Sequence, residues 1–298
     1  MKTRDHWGRE DRGRTGMPKS LKSLLMVSPL AAVMLVFLVL PIVMIAIVSF
    51  WRATEFSIIP AFSFENYEFL FGSPVTYKVF LNTFKYALIT WAFTLAIGFT
   101  VAYFLAFHVR SQNMQIVLFL LCTIPFWTSN IIRMISWIPF LGRNGIANSA
   151  LLSMGVIDQP VEWLLFSDFA VILAFVHLYT LFMVVPIFNT MMRIDRSLIE
   201  AARDAGASGP QILWNVIVPL TKPGIMIGTI FVVTLVMGDF ITVRIMSGSQ
   251  SANVGRLISN DIALLQYPSA AATAVILLIT VLMVIGILLR FVDIRKEL

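Results

Sequence analysis

Phe169-Ala-Val-Ile-Leu-Ala-Phe-Val-His-Leu-Tyr-Thr-Leu-Phe-Met-Val-Val-Pro-Ile-Phe-Asn-Thr-Met191 contains no Asp, Glu, Lys or Arg. A helix rises about 1.5 Å per residue, so roughly 20 such residues cross a hydrocarbon core of about 30 Å. Five other stretches read in the same way: Leu24–Phe50, Tyr86–Phe107, Met114–Ile135, Gly224–Val243 and Ala270–Leu289. Only 13% of the chain is charged and 58% is hydrophobic, whereas a soluble domain carries about a quarter charged residues. The expected fold is therefore an all-α membrane protein of about six spans. The first span holds Pro29 and Pro41, which predict a kink. Pro125, Asn130 and Arg133 interrupt the third.

Charge placement orients the bundle. With the N-terminus in the cytosol, 15 of the 22 Lys and Arg fall in cytosolic segments and 5 outside, with Arg133 and Arg244 at or within spans. Cytosolic loops carry the Lys/Arg excess, so both termini are expected inside. The net charge of +6 is explained by this distribution, without a nucleic-acid partner. Residues 1–23 read as a basic cytosolic tail, and residues 24–298 as the membrane domain. The tail is long and the apolar run behind it exceeds a signal-peptide core, so a retained first span is expected rather than a cleaved signal. The outer stretches Trp51–Lys85 and Pro139–Asp168 carry Phe69, Phe71, Tyr77 and Trp163, and could form interfacial helices. The single cysteine, Cys122, has no partner for a disulfide, and neither it nor His108 and His177 has metal-ligand spacing. No metal and no cofactor is expected.

The cytosolic segment of about residues 193–222 carries the most local information. Ser197 and Glu200 have capping-box spacing, so a helix is expected from about Leu198. Glu200-Ala-Ala-Arg-Asp-Ala continues it with mostly good helix formers. Gly206 suits a left-handed helix end, and Ser208 and Pro210 suit the start of a second helix running through Trp214 to Val218. Pro219 and Pro223 then lead into the fifth span. The product is a helix–turn–helix on the cytosolic face, with Ala201, Ala202 and Ala205 small enough for another backbone to approach.

Glu200-Ala201-Ala202, then Gly206, then aliphatic Val216 and Val218 before Pro219, resembles the EAA loop of binding-protein-dependent ABC permeases. Valine at both aliphatic positions is a mild departure. The resemblance implies a type I importer permease fold and makes this loop the coupling helix that seats in a groove of an ATP-binding cassette subunit. It makes Glu200, Ala201, Ala202 and Gly206 the contact core, with Arg203 and Asp204 as rim charges. Ile124-Pro-Phe-Trp-Thr-Ser-Asn-Ile-Ile-Arg133, Leu141-Gly-Arg-Asn-Gly-Ile-Ala-Asn148 and Gly238-Asp-Phe-Ile-Thr242 are similar to the spermidine/putrescine-type permeases, in the same order, from about Tyr86 onward. This implies a polyamine or related organic amine as solute, a bacterial inner-membrane location, an extracytoplasmic solute-binding protein and a second permease chain, related or identical.

Asp239 within a span is costly unless it faces a polar cavity or a partner. It can receive a cationic amine, with Trp127 as a cation–π wall and Arg133 and Thr242 along the path. It can equally pair with Arg133 or Arg244 and hold helices together. No Gly-x-x-x-x-Gly-Lys-Ser/Thr occurs, so the chain is not expected to be an enzyme and ATP hydrolysis belongs to a partner. An ion-coupled secondary transporter is the alternative. It would call for inverted repeats and several membrane charges, and it leaves the EAA segment unexplained. An intramembrane protease would need a second aspartate within a span.

Overall fold

The computed structural model describes residues 19–54 and 57–290, and residues 1–18 of the basic tail read over 1–23 lie outside them. The chain divides into two compact units, residues 1–47 and 48–298. The first holds α1 (Lys19–Met34) and most of α2 (Leu40–Val48), joined by a π-helical turn over Leu35–Val39. Pro41 has no N–H and its ring would press on the carbonyl one turn back. The widened turn, in which Leu40 N–H reaches Leu35 O, sits directly before it.

The second unit opens with a two-residue hairpin, β1 (Arg52–Ala53) paired to β2 (Ile58–Ile59), with Arg52 opposite Ile59. A short helix α3 (Glu65–Gly72) follows, then α4 (Pro74–Tyr103). Pro74 opens α4, where its missing N–H costs nothing. The second span thus begins twelve residues earlier than its apolar run, because Pro74–Lys85 continues the helix out of the apolar region.

α5 (Gln112–Thr123) and α6 (Asn130–Leu141) occupy the expected third span, but the helical segments Gln112–Trp127 and Asn130–Ser153 that contain them meet at 89°. The break falls at Thr128 and Ser129, beside Pro125, where the sequence is interrupted. One straight third span is therefore replaced by a broken or re-entrant pair. α7 (Ile146–Ser153) lies in the loop after it.

α8 (Asp168–Met191) is the centre of the unit and packs against α4 and α11 (Val218–Gly238). Tyr86, Phe175, Met183, Ile187 and Val232 are fully enclosed there. Hydroxyls inside this bundle bond to the carbonyl one turn back, as Thr221 does to Ile217 O at 2.8 Å, so they cost little in an apolar medium. Trp91 Nε1–H on α4 donates to Thr229 Oγ1 on α11 at 2.9 Å.

Between α8 and α11 lie α9 (Arg196–Asp204) and α10 (Gly209–Ile212). α10 does not end before the fifth span. A π turn over Leu213–Ile217 carries it straight into α11, with Val218 N–H on Leu213 O. This is the Pro41 arrangement again, now relieving Pro219. The last elements are α12 (Ile241–Met246), α13 (Val254–Ala263) and α14 (Tyr267–Arg290). α11 stops at Gly238, so Asp239 lies in a break and not inside the span, contrary to the reading of Gly224–Val243 as one helix. The described residues contain five helices long and apolar enough to cross a membrane, or six if the α5–α6 pair counts as one span.

Candidate functional site: a cytosolic docking helix and a polar break in the membrane

The cytosolic helix α9 starts earlier than the Ser197–Glu200 spacing suggests. Asp195 caps it, its Oδ1 accepting Ser197 N–H at 3.0 Å. The expected Ser197–Glu200 capping box is not formed, because Asp195 reaches the first free N–H groups half a turn sooner. That bond also holds the exposed Asp195 carboxyl below the usual carboxylate range. Gly206 has φ +84°, and two bonds close the helix end: Gly206 N–H to Arg203 O at 2.9 Å and Ala207 N–H to Ala202 O at 3.0 Å. This is a Schellman turn, which needs a left-handed residue at Gly206. Ser208 then opens the second helix, its N–H donating to Gln211 Oε1 at 2.7 Å.

The faces of α9 are sorted. Ile199 and Ala202 pack on the core. Arg196, Glu200 and Arg203 line a recess against Tyr103 and His108, at the end of α4. Leu198, Ala201, Asp204 and Ala205 face outward and are exposed. So the residues matched to the EAA pattern do not share one surface: Ala201 and Asp204 point away from the bundle, Ala202 points into it, and Glu200 and Arg203 lie between. Leu198 on α9 and Trp214 in the turn after α10 (67% exposed) are exposed apolar side chains that the pattern does not mark.

The second polar locus is the break after α11. Asp239 accepts from Tyr179 Oη at 2.7 Å, from Thr242 N–H at 2.9 Å and from Thr242 Oγ1 at 2.5 Å. Its own carbonyl accepts from Asn253 Nδ2 at 2.7 Å. All the carboxylate's donors are neutral. No ion pair among the described residues involves Asp239, Arg133 or Arg244, so the structure does not form the internal pairing that stood as one of the two readings of Asp239. The carboxylate lines a recess with Asn130, Met134, Tyr179 and Thr234. Thr242 is buried and Trp127 is 85% exposed, so Trp127 does not wall this recess within the chain. Arg133 is buried and bonds the Asn130 side chain. Tyr179 was missed by sequence reasoning, since a lone tyrosine in an apolar helix carries no local mark.

A third cluster ties the outer ends of the bundle. Lys85 Nζ lies 2.6 Å from Asp168 Oδ2. Tyr86 Oη bonds the other oxygen of Asp168 and also Ser251 Oγ. α4, α8 and the segment before α13 are fixed together at this point.

These features define a class: a multi-pass helical membrane protein with a polar break in its bundle and a capped, part-apolar helix pair presented on one face. Residues 98–297 match the family described as binding-protein-dependent transport system inner membrane component, and the chain belongs to that family. It is the permease subunit of an ABC importer, an inner-membrane transport component. The spermidine/putrescine transport system permease protein PotB of Escherichia coli (strain K12) is 35% identical over 258 residues, covering 86% of this chain and 91% of that one. PotB of Haemophilus influenzae is 32% identical, with 86% and 88% covered. The crystal structure of a bacterial alginate ABC transporter, in complex with an alginate-pentasaccharide-bound periplasmic protein, superposes with a TM-score of 0.73. It covers 93% of this chain and 96% of that one at 16% identity, which shows a shared fold.

Proposed function

We propose that this permease passes a small organic amine of the polyamine class inward, and that a separate ATPase subunit docks on the loop of residues 193–222 to power it. The observation that carries the solute class is Asp239: a carboxylate in a membrane-level break, held by neutral donors, facing a recess. Asp239 is half-buried, a negative charge at membrane level without a cation is costly, and a protonated amine in the recess supplies the missing charge. Similarity to the PotB proteins supports the same solute class.

The outward face of α9 is suited to a groove in a partner. Leu198 gives an apolar anchor, Ala201 and Ala205 allow close backbone approach, and Asp204 offers a rim charge. A second permease, related or identical, completes the pathway, and an extracytoplasmic binding protein delivers solute to the outer face. Residues 1–23 remain the basic tail, and both termini lie in the cytosol by the charge count. The test is co-purification of the ATPase subunit with the permease, followed by putrescine-stimulated ATP hydrolysis of the reconstituted complex. Leu198→Glu should abolish the association while the permease remains folded. If the ATPase still binds to Leu198→Glu and to Gly206→Pro permeases, the docking assignment is wrong.

A further inference from the structure

Arg133 is a buried charge, at 8% exposure, with no ion-pair partner among the described residues. One terminal nitrogen bonds the Asn130 side chain, and its Nε has no hydrogen-bond partner among the described residues. No carboxylate pairs with it. It lines a recess whose other walls are largely apolar, including Phe126, Leu181 and Val184.

His177 lines the same recess. Trp137 Nε1–H donates to His177 Nδ1 at 3.1 Å. That nitrogen therefore acts as the acceptor, and the neutral ring carries its proton on Nε2. Nε2–H has no protein acceptor among the described hydrogen bonds. Thr180 offers nothing further, since its hydroxyl already donates to Val176 O at 2.6 Å. The recess thus presents a guanidinium and an imidazole N–H, with no protein carboxylate to receive either. His177 is exposed at the mouth of the recess and Arg133 is buried, and a carboxylate satisfies such donors through charge-assisted bonds.

This recess adjoins the Asp239 recess. Asn130 lines the latter and accepts from Arg133, while Leu178 lines the former and Tyr179 the latter. We propose that Arg133 and His177 form an acceptor site for a carboxylate group of the solute, so that the permease takes amino-carboxylates whose amine end rests at Asp239. The amine end of this proposal rests on the reading of Asp239 given above.

Equilibrium binding to the purified permease–ATPase complex, without binding protein, tests it with two probes of matched chain length: γ-aminobutyrate and putrescine. The wild type should bind both. Arg133→Gln should weaken γ-aminobutyrate at least tenfold without weakening putrescine, since it removes a like charge from near the dication, while Asp239→Asn should weaken both. Butyrate, which lacks the amine, should displace γ-aminobutyrate from the wild type, a measurement that needs no variant. Putrescine binding without γ-aminobutyrate binding, or γ-aminobutyrate binding unaffected by Arg133→Gln, overturns the carboxylate site and leaves the amine reading intact. γ-Aminobutyrate binding without putrescine binding supports the site and removes the polyamine reading. If Arg133→Gln releases the second permease from the complex, the acceptor is a carboxylate of that partner and the proposal fails.

Discussion

A β-carbon placed on Gly224 of α11 would sit 1.9 Å from Thr190 Oγ1 and 2.4 Å from Pro186 O of α8. The two spans touch backbone to backbone at this level, as membrane helices do where small residues remove the side-chain spacer. Thr190 is held in that position by its own bond to Pro186 O at 2.6 Å, so neither neighbour is a flexible chain end. Gly224→Val should therefore separate α8 from α11 at a cost of at least about 1–3 kcal/mol, the usual range for overpacking. The expected readout is a lower detergent-solubilised melting temperature and reduced yield. A glycine with open space beside it, Gly286, should accept Gly286→Val with little change in the same assay.

Tyr179→Phe removes one of the Asp239 carboxylate's donors and leaves the ring in place. The loss of one such bond, about 1–2 kcal/mol, corresponds to a roughly five- to thirty-fold rise in the putrescine concentration that half-stimulates ATPase activity. Asp239→Asn should have a larger effect, with basal ATPase and complex assembly retained. Equal stimulation of wild type and Asp239→Asn would remove Asp239 from the path.

Asp195 caps α9, the helix proposed to dock the ATPase, as a carboxylate. Its folded pKa is depressed, so its stabilisation is present above the ordinary carboxylate range and is lost as pH falls through the folded value. Asp195→Ala should weaken ATPase association at neutral pH, and the difference from wild type should shrink in acid. Asp195→Asn, still able to cap, should stay near wild type at all pH values. Pull-down of the ATPase across a pH series reads this directly.

Asp261 at the end of α13 shows the opposite sign. Burial raises its pKa, with a 2.9 Å bond from Ser269 partly offsetting that. The folded state thus favours the neutral acid, and stability falls as pH rises from the unfolded pKa through the folded one. Asp261→Asn keeps the neutral shape, so it should raise thermal stability at neutral pH and match wild type in acid. A destabilised Asp261→Asn at neutral pH would mean that the ionised form has a partner.

Much of the membrane architecture is legible in apolar run length alone, because the bilayer core leaves few ways to satisfy a backbone. The spans at α8 and α14 fall where their apolar runs place them, those at α4 and α11 exist with shifted ends, and the Gly206 turn and the Ser208 helix start lie where the sequence predicts them. Asp195 was not read as the cap of α9. Asp and Ser are both good N-cap types, and with Asp195 two positions before Ser197 the spacing alone does not say which side chain reaches the free N–H groups first.

What the sequence by itself determined is the class: uninterrupted apolar runs, Lys/Arg asymmetry and a Glu200–Pro219 segment of fixed spacing are local properties, and local physics reads them. What only the tertiary structure decided is which polar groups meet. Asp239 could have paired with Arg133 or Arg244, but α11 ends at Gly238 and turns its carboxylate toward Tyr179 and Thr242. Arg133 is left with Asn130 instead. Such pairings depend on where helices break and how they cross, and residues 60 positions apart carry no local trace of it.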